Sequence, residues 1–381
     1  MRVFFDNAAT TPMSEEVIAA MTEVMRENNG NPSSIHAEGR KARAAIERAR
    51  KQVANYFNAS IGEIFFTSGG TESNNMALKC AVRDLGVQRI ISAKTEHHCV
   101  LHALESLEQN QQVEVAYVGL DEVGTPSMEH LRQLLQASDK KTLVSLMHSN
   151  NEIGVMIDLD EVSTLCQEFG AYFHSDTVQT VGYFPIDVEE TKISFLSGSA
   201  HKFHGPKGVG FIYINGDNII KPYIDGGAQE RNMRAGTENL YGIVGLAKAL
   251  ELAYENLEDR RTQTLEVRDY LRDQLVANFP NILVNGDPEH GHYKVLSVAF
   301  PPSEKSEMLL FNLDISGVCV SGGSACSSGS NVGSHVIAEL ANVPEDYTTL
   351  RFSLSHLNTK AEVDFVMEKL RAALPAVVAQ N

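Results

Sequence analysis

The stretch "ISFLSGSAHKFHGPKGVGFIYI", Ile193–Ile214, sets one lysine, Lys202, between two histidines on a Ser/Gly turn bounded by two apolar runs. Ile193–Leu196 and Gly208–Ile214 read as strands, being short, apolar and bounded by turn residues. Gly205-Pro206 keeps the turn between them from becoming a helix, because proline has no amide proton to donate. Working outward, similar runs recur at Ile64–Thr67, Arg89–Ala93, Val113–Val118, Leu143–His148 and Tyr172–Ser175. Amphipathic segments such as Ser127–Gln136 and Leu159–Phe169 lie between many of them. The alternation predicts an α/β fold, a mainly parallel seven-stranded sheet with helices on both faces. In such sheets ligands bind at the carboxyl ends of the strands. A long helical stretch is expected over roughly Asn239–Asn278. After it, "KVLSVAF" and "TTLRFSLS" read as strands and "SEMLLFNLDI" and "TKAEVDFVMEKLRAAL" as helices of a smaller α+β domain. The expected division is 14–255 for the large domain and 1–13 with 256–381 for the small one.

The 381 residues suffice for one large and one smaller domain, and 43% hydrophobic with 21% charged residues is ordinary for a globular chain. No apolar run approaches the ~20 residues of a membrane span, and "MRVFFDNAATTP" is too short and polar for a secretory signal. A cytoplasmic protein without a membrane partner is expected. A net charge of -17 argues against direct nucleic-acid binding, which relies on clustered Lys and Arg. Cys80, Cys99, Cys166, Cys319 and Cys326 form neither CxxC pairs nor a disulfide framework, so mostly free thiols are expected. Cys80 and Cys166, in helix-like runs, read as small buried hydrophobes.

Four segments could surround Lys202. In "FFTSGGTESNN" a strand ends at Thr67 and a helix begins near Thr71; its glycines and N-terminus suit an anion, or equally a tight turn with a Thr cap. The spacing is neither a dinucleotide fingerprint nor a P-loop. In "YFHSDTVQT", Asp176 ends an apolar strand, where a carboxylate either caps a helix or meets a cation, and Gln179 follows in the same loop. "KTEHHCVLH" opens a helix with two histidines; without acidic or Cys ligands nearby, a ring over a planar cofactor is a sharper reading than a metal. "HGHY", His290–Tyr293, is a weaker metal candidate and reads as a surface loop. In "VCVSGGSACSSGSNVG", Cys326 stands among glycines and serines, either as an accessible nucleophile or in an ordinary turn. An amine, a carboxylate for a pyridinium nitrogen, a glycine-rich helix start for a phosphate and a stacking histidine are together the needs of pyridoxal 5'-phosphate, which makes Lys202 its anchor.

The chain resembles the cysteine desulfurases, the NifS/IscS-like branch of the fold-type I, class V aminotransferases. The resemblance runs through "FFDNAATTP", "NGNPSSIH", "TSGGTESNN", "TEHHCVL", "NNEIG", "HSDTVQ", "GSAHKFHGPKG", "QERNMRAGTEN", "SGGSACSSGS" and "LRFSLS". It implies that Lys202 binds the cofactor covalently, that His97 stacks on its ring and assists proton transfer, and that Asp176 pairs with its nitrogen. Gln179 would bond the phenolic oxygen. Gly70, Thr71, Ser199 and His201 would hold the phosphate, with Thr237 reaching in from a second subunit of a homodimer. Asn151, at the cofactor, and Arg351 would bind the carboxylate of L-cysteine, and no metal is implied. Cys326 would take the sulfur as a persulfide and pass it to an acceptor protein, such as an iron–sulfur scaffold. The resemblance leaves a selenocysteine lyase, or another class V aminotransferase-fold enzyme, as the alternative. Two departures bear on it: His204 stands where the family usually has Tyr, and "SNVGSHV" replaces the common "SLEPSHV" after the cysteine.

Overall fold

The computed structural model describes residues 1–303, 306–322 and 333–374. Strand β1 (Val3–Phe4) precedes the seven strands of the main sheet. These are β2 (Ile64–Thr67), β3 (Arg89–Ser92), β4 (Glu114–Tyr117), β5 (Thr142–Ser145), β6 (Tyr172–Asp176), β7 (Phe195–Ser199) and β8 (Gly210–Ile214). Their spatial order is β2-β8-β7-β6-β5-β3-β4. The pairs from β7 to β4 are parallel, while β8 runs antiparallel to both β7 and β2.

Every residue of β2, β3, β5, β7 and β8 is buried, as a sheet covered on both faces requires. Successive side chains alternate between two cores. Phe65, Ile90, Leu143, Phe195 and Ile212 pack under the helices Gly70–Leu85 and His98–Gln109, with Met76, Leu78 and Leu104. Phe66, Ile91, Val144, Leu196 and Phe211 join the other core, with Val17, Ile46 and Leu246 from the helices Glu15–Glu27, Ala37–Tyr56 and Leu240–Glu255.

A second antiparallel sheet, in the order β12-β10-β9, is built from β9 (Leu283–Asn285), β10 (Val295–Phe300) and β12 (Thr348–Ser353). The intervening β11 (Val318–Cys319) pairs in parallel with β1, which carries the chain start into this core. Val3 and Phe5 pack there with Leu271, Leu296, Phe352 and Val366.

Two expectations are corrected. The helical stretch expected over roughly Asn239–Asn278 is not continuous but two helices, Leu240–Glu255 and Leu257–Asn278, divided at Asn256. Asn256 donates its own side-chain amide to the Leu252 carbonyl at 3.1 Å, competing with the helical backbone as asparagine tends to do. The burial also changes partner there, Leu246 and Leu250 facing the large core and Val267 and Leu271 the second. Strand β7 runs past Leu196 to Ser199, because Gly198 and Ser199 pair with Phe211 and Gly210. A Cβ on Gly198 would lie 2.2 Å from Phe211 Cε1, so only glycine continues the strand there.

Candidate active site

The chain leaves β3, β5, β6 and β7 at their carboxyl ends toward one cleft of about 220 Å³. His97, Asn151, Asp176, Gln179, His201, Lys202 and Arg351 line it, together with Gly70 and Thr71. Most of the residues singled out in the sequence are thus neighbours.

Each is placed by local geometry. Gly69, at φ 151°, ends the turn after β2, and the helix begins at Gly70, whose missing Cβ would lie 2.5 Å from Val178 Cγ2. The helix start therefore sits directly against the loop after β6. Asp176 ends β6; its Oδ1 accepts the Val178 amide at 2.9 Å and its Oδ2 accepts Asn74 Nδ2 at 2.6 Å. His97 caps its helix, its Nδ1 accepting the Cys99 amide at 3.2 Å. Burial holds the His97 imidazole below its ordinary pKa, with Asp176 opposing and Lys202 adding to the shift.

Lys202 closes a 3₁₀ turn after β7. Its Nζ donates to the Ala8 and Ala9 carbonyls at 2.6 and 2.8 Å, and its own carbonyl accepts from Tyr183 Oη at 2.8 Å. His201 beside it meets Thr10 Oγ1 at 3.2 Å. Burial first, then Lys202, pushes the His201 pKa down to about 4. Gln179 donates to the Ala8 carbonyl at 3.0 Å, while its buried Oε1 has no partner among the described residues.

Arg351 comes from β12 of the second sheet and is 2% exposed. It donates to Asp6 Oδ1 at 2.7 Å and to the Asn151 carbonyl at 2.8 Å, and its buried Nε has no partner among the described residues. Gln179 Oε1 and Arg351 Nε are polar atoms awaiting a ligand in a cleft that ends on a helix N-terminus. That acceptor and donor, the helix N-terminus, the lysine and the carboxylate fit a planar, phosphate-bearing aldehyde.

Two predicted residues stand elsewhere. Ser199 is buried beside Gly69 and is not among the cleft-lining residues, its Oγ 3.6 Å from where a Gly69 Cβ would be. Thr237 lines a separate cavity of about 120 Å³ with Ser68, Gly208 and Arg234. Cys326 lies outside the described residues. The flanking Ser321 donates to Asp6 Oδ1 at 2.9 Å, and Ser334 donates to Glu152 Oε2 at 2.5 Å.

The "HGHY" expectation is half corrected: His290 is exposed and pairs with Asp287, but His292 and Tyr293 are buried behind the cleft. His292 Nε2 meets the Gln179 carbonyl at 2.8 Å, an apolar core having recruited the loop. No group of three metal-ligating side chains occurs among the described residues. His204 is buried with φ 67° and meets the Pro12 carbonyl through Nδ1 at 2.8 Å. Asn74, Asp6, Ala8 and Ala9 were not singled out. Asn74 alone carried a signal, lying four residues after Gly70 and so on the same helical face.

A family model for aminotransferase class V matches residues 3–366. The chain is 42% identical over 384 residues to the cysteine desulfurase IscS of Dictyoglomus turgidum, covering 98% of this chain and 96% of that one. A solved NifS-like protein superposes with a TM-score of 0.89 at 36% identity, covering 98% of this chain and 99% of that one. A structure described as SspA in complex with cysteine gives 0.80 at 29% identity, over 94% and 100%. The chain belongs to the class-V aminotransferases and, within them, to the cysteine desulfurases. Both families are generally dependent on pyridoxal phosphate.

Proposed function

We propose that the cleft binds pyridoxal 5'-phosphate at Lys202 and that the protein converts L-cysteine to L-alanine, Cys326 taking the sulfur and passing it to an acceptor protein. The observation that carries this reading is an amine and a carboxylate, Lys202 and Asp176, on one cleft at the ends of adjacent parallel strands. A cysteine desulfurase relative and a related structure with bound cysteine support the substrate.

When bound, the cofactor supplies an electron sink for charge developing at the substrate Cα. Asp176, held by Asn74 and the Val178 amide, keeps a proton at the pyridine nitrogen. Gln179 would meet the phenolic oxygen, and Gly70, Thr71 and His201 would hold the phosphate at the helix N-terminus, with Ser199 packed behind them against Gly69. His97 covers the ring and, kept neutral by burial, takes or gives a proton. Arg351 and Asn151 take the substrate carboxylate, a charge-assisted pair that satisfies the buried Arg351 Nε. Lys202 moves the Cα proton. The Cys326 thiolate attacks the substrate sulfur; the substrate's C–S bond breaks, its electron pair stays on carbon, and Cys326 is left as a persulfide.

The two cores support a division into 14–255 and 1–13 with 256–381. A homodimer is also part of the proposal: Thr237 lines a cavity other than its own chain's cleft, as a residue serving a partner's site would. The proposed location is the cytoplasm, consistent with four free thiols among the described residues.

Alanine and sulfide release from L-cysteine, with and without a reductant, tests the reading. Wild-type protein should form alanine and require the reductant for sulfide on every turnover. Cys326→Ser should keep the bound cofactor and lose both products, while Cys319→Ser on β11 should retain most of the activity. Desulfuration by Cys326→Ser would falsify the sulfur-accepting role.

A further inference from the structure

Behind Asp176 and its partner Asn74 lies a buried polar chain whose further members the function described above does not use. His174 precedes Asp176 by two residues on β6, so both side chains leave the same face of the sheet. His174 is fully buried, as are Asn74 above it and Ser145 on the adjacent β5. Ser145 Oγ lies 2.9 Å from His174 Nδ1, and His174 Nε2 lies 3.1 Å from Asn74 Oδ1. Asn74 Nδ2 in turn donates to Asp176 Oδ2 at 2.6 Å.

The chemistry of the end group fixes every orientation. An ionised carboxylate only accepts, so the Asn74 amide turns its nitrogen to Asp176 and its oxygen to His174. An amide oxygen also only accepts, so His174 carries its proton on Nε2. Burial, which pushes the His174 pKa down to about 4, keeps the ring neutral and leaves Nδ1 as an acceptor for the Ser145 hydroxyl. All three donors therefore point toward Asp176, and aligned hydrogen bonds polarise one another.

We propose that His174 is a positioning residue, which through Asn74 fixes the Asp176 carboxylate and sets how firmly the cleft holds a protonated pyridine nitrogen. The proposal rests on the reading of the cleft as a pyridoxal phosphate site. Without the Nε2–H donor the Asn74 amide can turn over, presenting its oxygen to the carboxylate and removing a charge-assisted bond from it.

The test compares His174→Leu, which removes the donor, with His174→Gln, whose side-chain amide keeps an N–H near the Nε2 position. Apo-protein is titrated with pyridoxal 5'-phosphate, and the absorbance of the bound chromophore is followed against pH. His174→Leu should weaken cofactor binding by about 10- to 100-fold, the worth of a hydrogen bond to a charged group. It should also shift the chromophore's titration midpoint by about half a pH unit or more. His174→Gln should restore most of both. A Leu variant that binds and titrates like wild-type overturns the role.

Because the Leu variant can fail to fold, nitrogen NMR of the wild-type apo-protein provides a second measurement. His174 should be a neutral Nε2–H tautomer from about pH 6 to 9. An Nδ1–H tautomer or an imidazolium in that range overturns the relay. Failure of the wild-type protein to bind the cofactor overturns instead the reading on which the proposal rests, while the tautomer result stands on its own.

Discussion

Lys202 is set in part by backbone atoms far away in the chain, the carbonyls of Ala8 and Ala9. The value of Gly70 lies in what it lacks. Its Cβ would lie 2.5 Å from the stiff, β-branched Val178, two residues past Asp176. Gly70→Ala should displace that loop, lowering stability by about 1–3 kcal/mol, the usual result of overpacking. Cofactor affinity should fall with it, as checked by urea unfolding and by titration of the apo-protein. The cysteines of the main domain behave differently from an accessible thiol. Burial pushes Cys80 and Cys99 up to about 12, and Cys166 higher still, so almost none of their thiolate exists at neutral pH. Alkylation of native protein at pH 7.5 should leave the buried Cys80 and Cys166 unlabelled and label Cys326, as peptide mapping would show. Rapid labelling of Cys80 or Cys166 would contradict their buried environment.

At the level of elements, the segment leading to Thr237 is held by a buried ion pair along one edge of β2, where Arg50 also donates to the Ile64 carbonyl at 2.8 Å. Arg50 and Glu230 pair at 2.6 and 3.0 Å, each at most 4% exposed, and Glu230 Oε2 also accepts the Phe66 amide at 2.8 Å. The pair anchors Glu230, Arg231 and Asn232, three consecutive non-glycine residues with φ of 43°, 56° and 65°. Arg50→Met leaves a buried carboxylate without its partner and should cost about 3–5 kcal/mol, against a smaller loss for the Arg50→Met/Glu230→Leu double variant. Chemical denaturation of both variants checks the difference. The strands were legible in the sequence because each is a short apolar run closed by turn residues, and the lysine, aspartate and histidine stand at their ends. The break at Asn256 was not, since the apolar spacing continues through it and only the change of packing partner reveals it. Asn74 and Asp6 were missed for a related reason: a supporting hydrogen bond depends on which strands become neighbours. The "HGHY" loop looked polar in sequence, yet His292 and Tyr293 are buried against Tyr183, with ring centroids 5.1 and 5.9 Å away.

Taken as a whole molecule, the protein folds with several histidines buried neutral. Burial lowers His148 and His174 to about 4 and His204 to about 3, against an ordinary 6.5. The unfolded chain binds more protons than the folded one between those values, so this stability is present above about pH 6.5 and lost as the pH falls toward 4. Each group adds a slope of up to about 1.4 kcal/mol per pH unit in that window. Acidification also reduces the repulsion of a net charge of -17, but exposed charges are screened within about 10 Å at moderate salt. The urea midpoint should therefore fall steeply from pH 6.5 to 4.5 and little from pH 8 to 7. The central claim is that the cleft between the sheet's carboxyl ends and β12 is a pyridoxal phosphate site built on Lys202. Borohydride reduction of the cofactor-loaded protein, followed by peptide mapping, tests it most directly. A pyridoxyl adduct on Lys202, lost in Lys202→Ala, is the predicted result; no adduct, or one on the neighbouring Lys207, would contradict it.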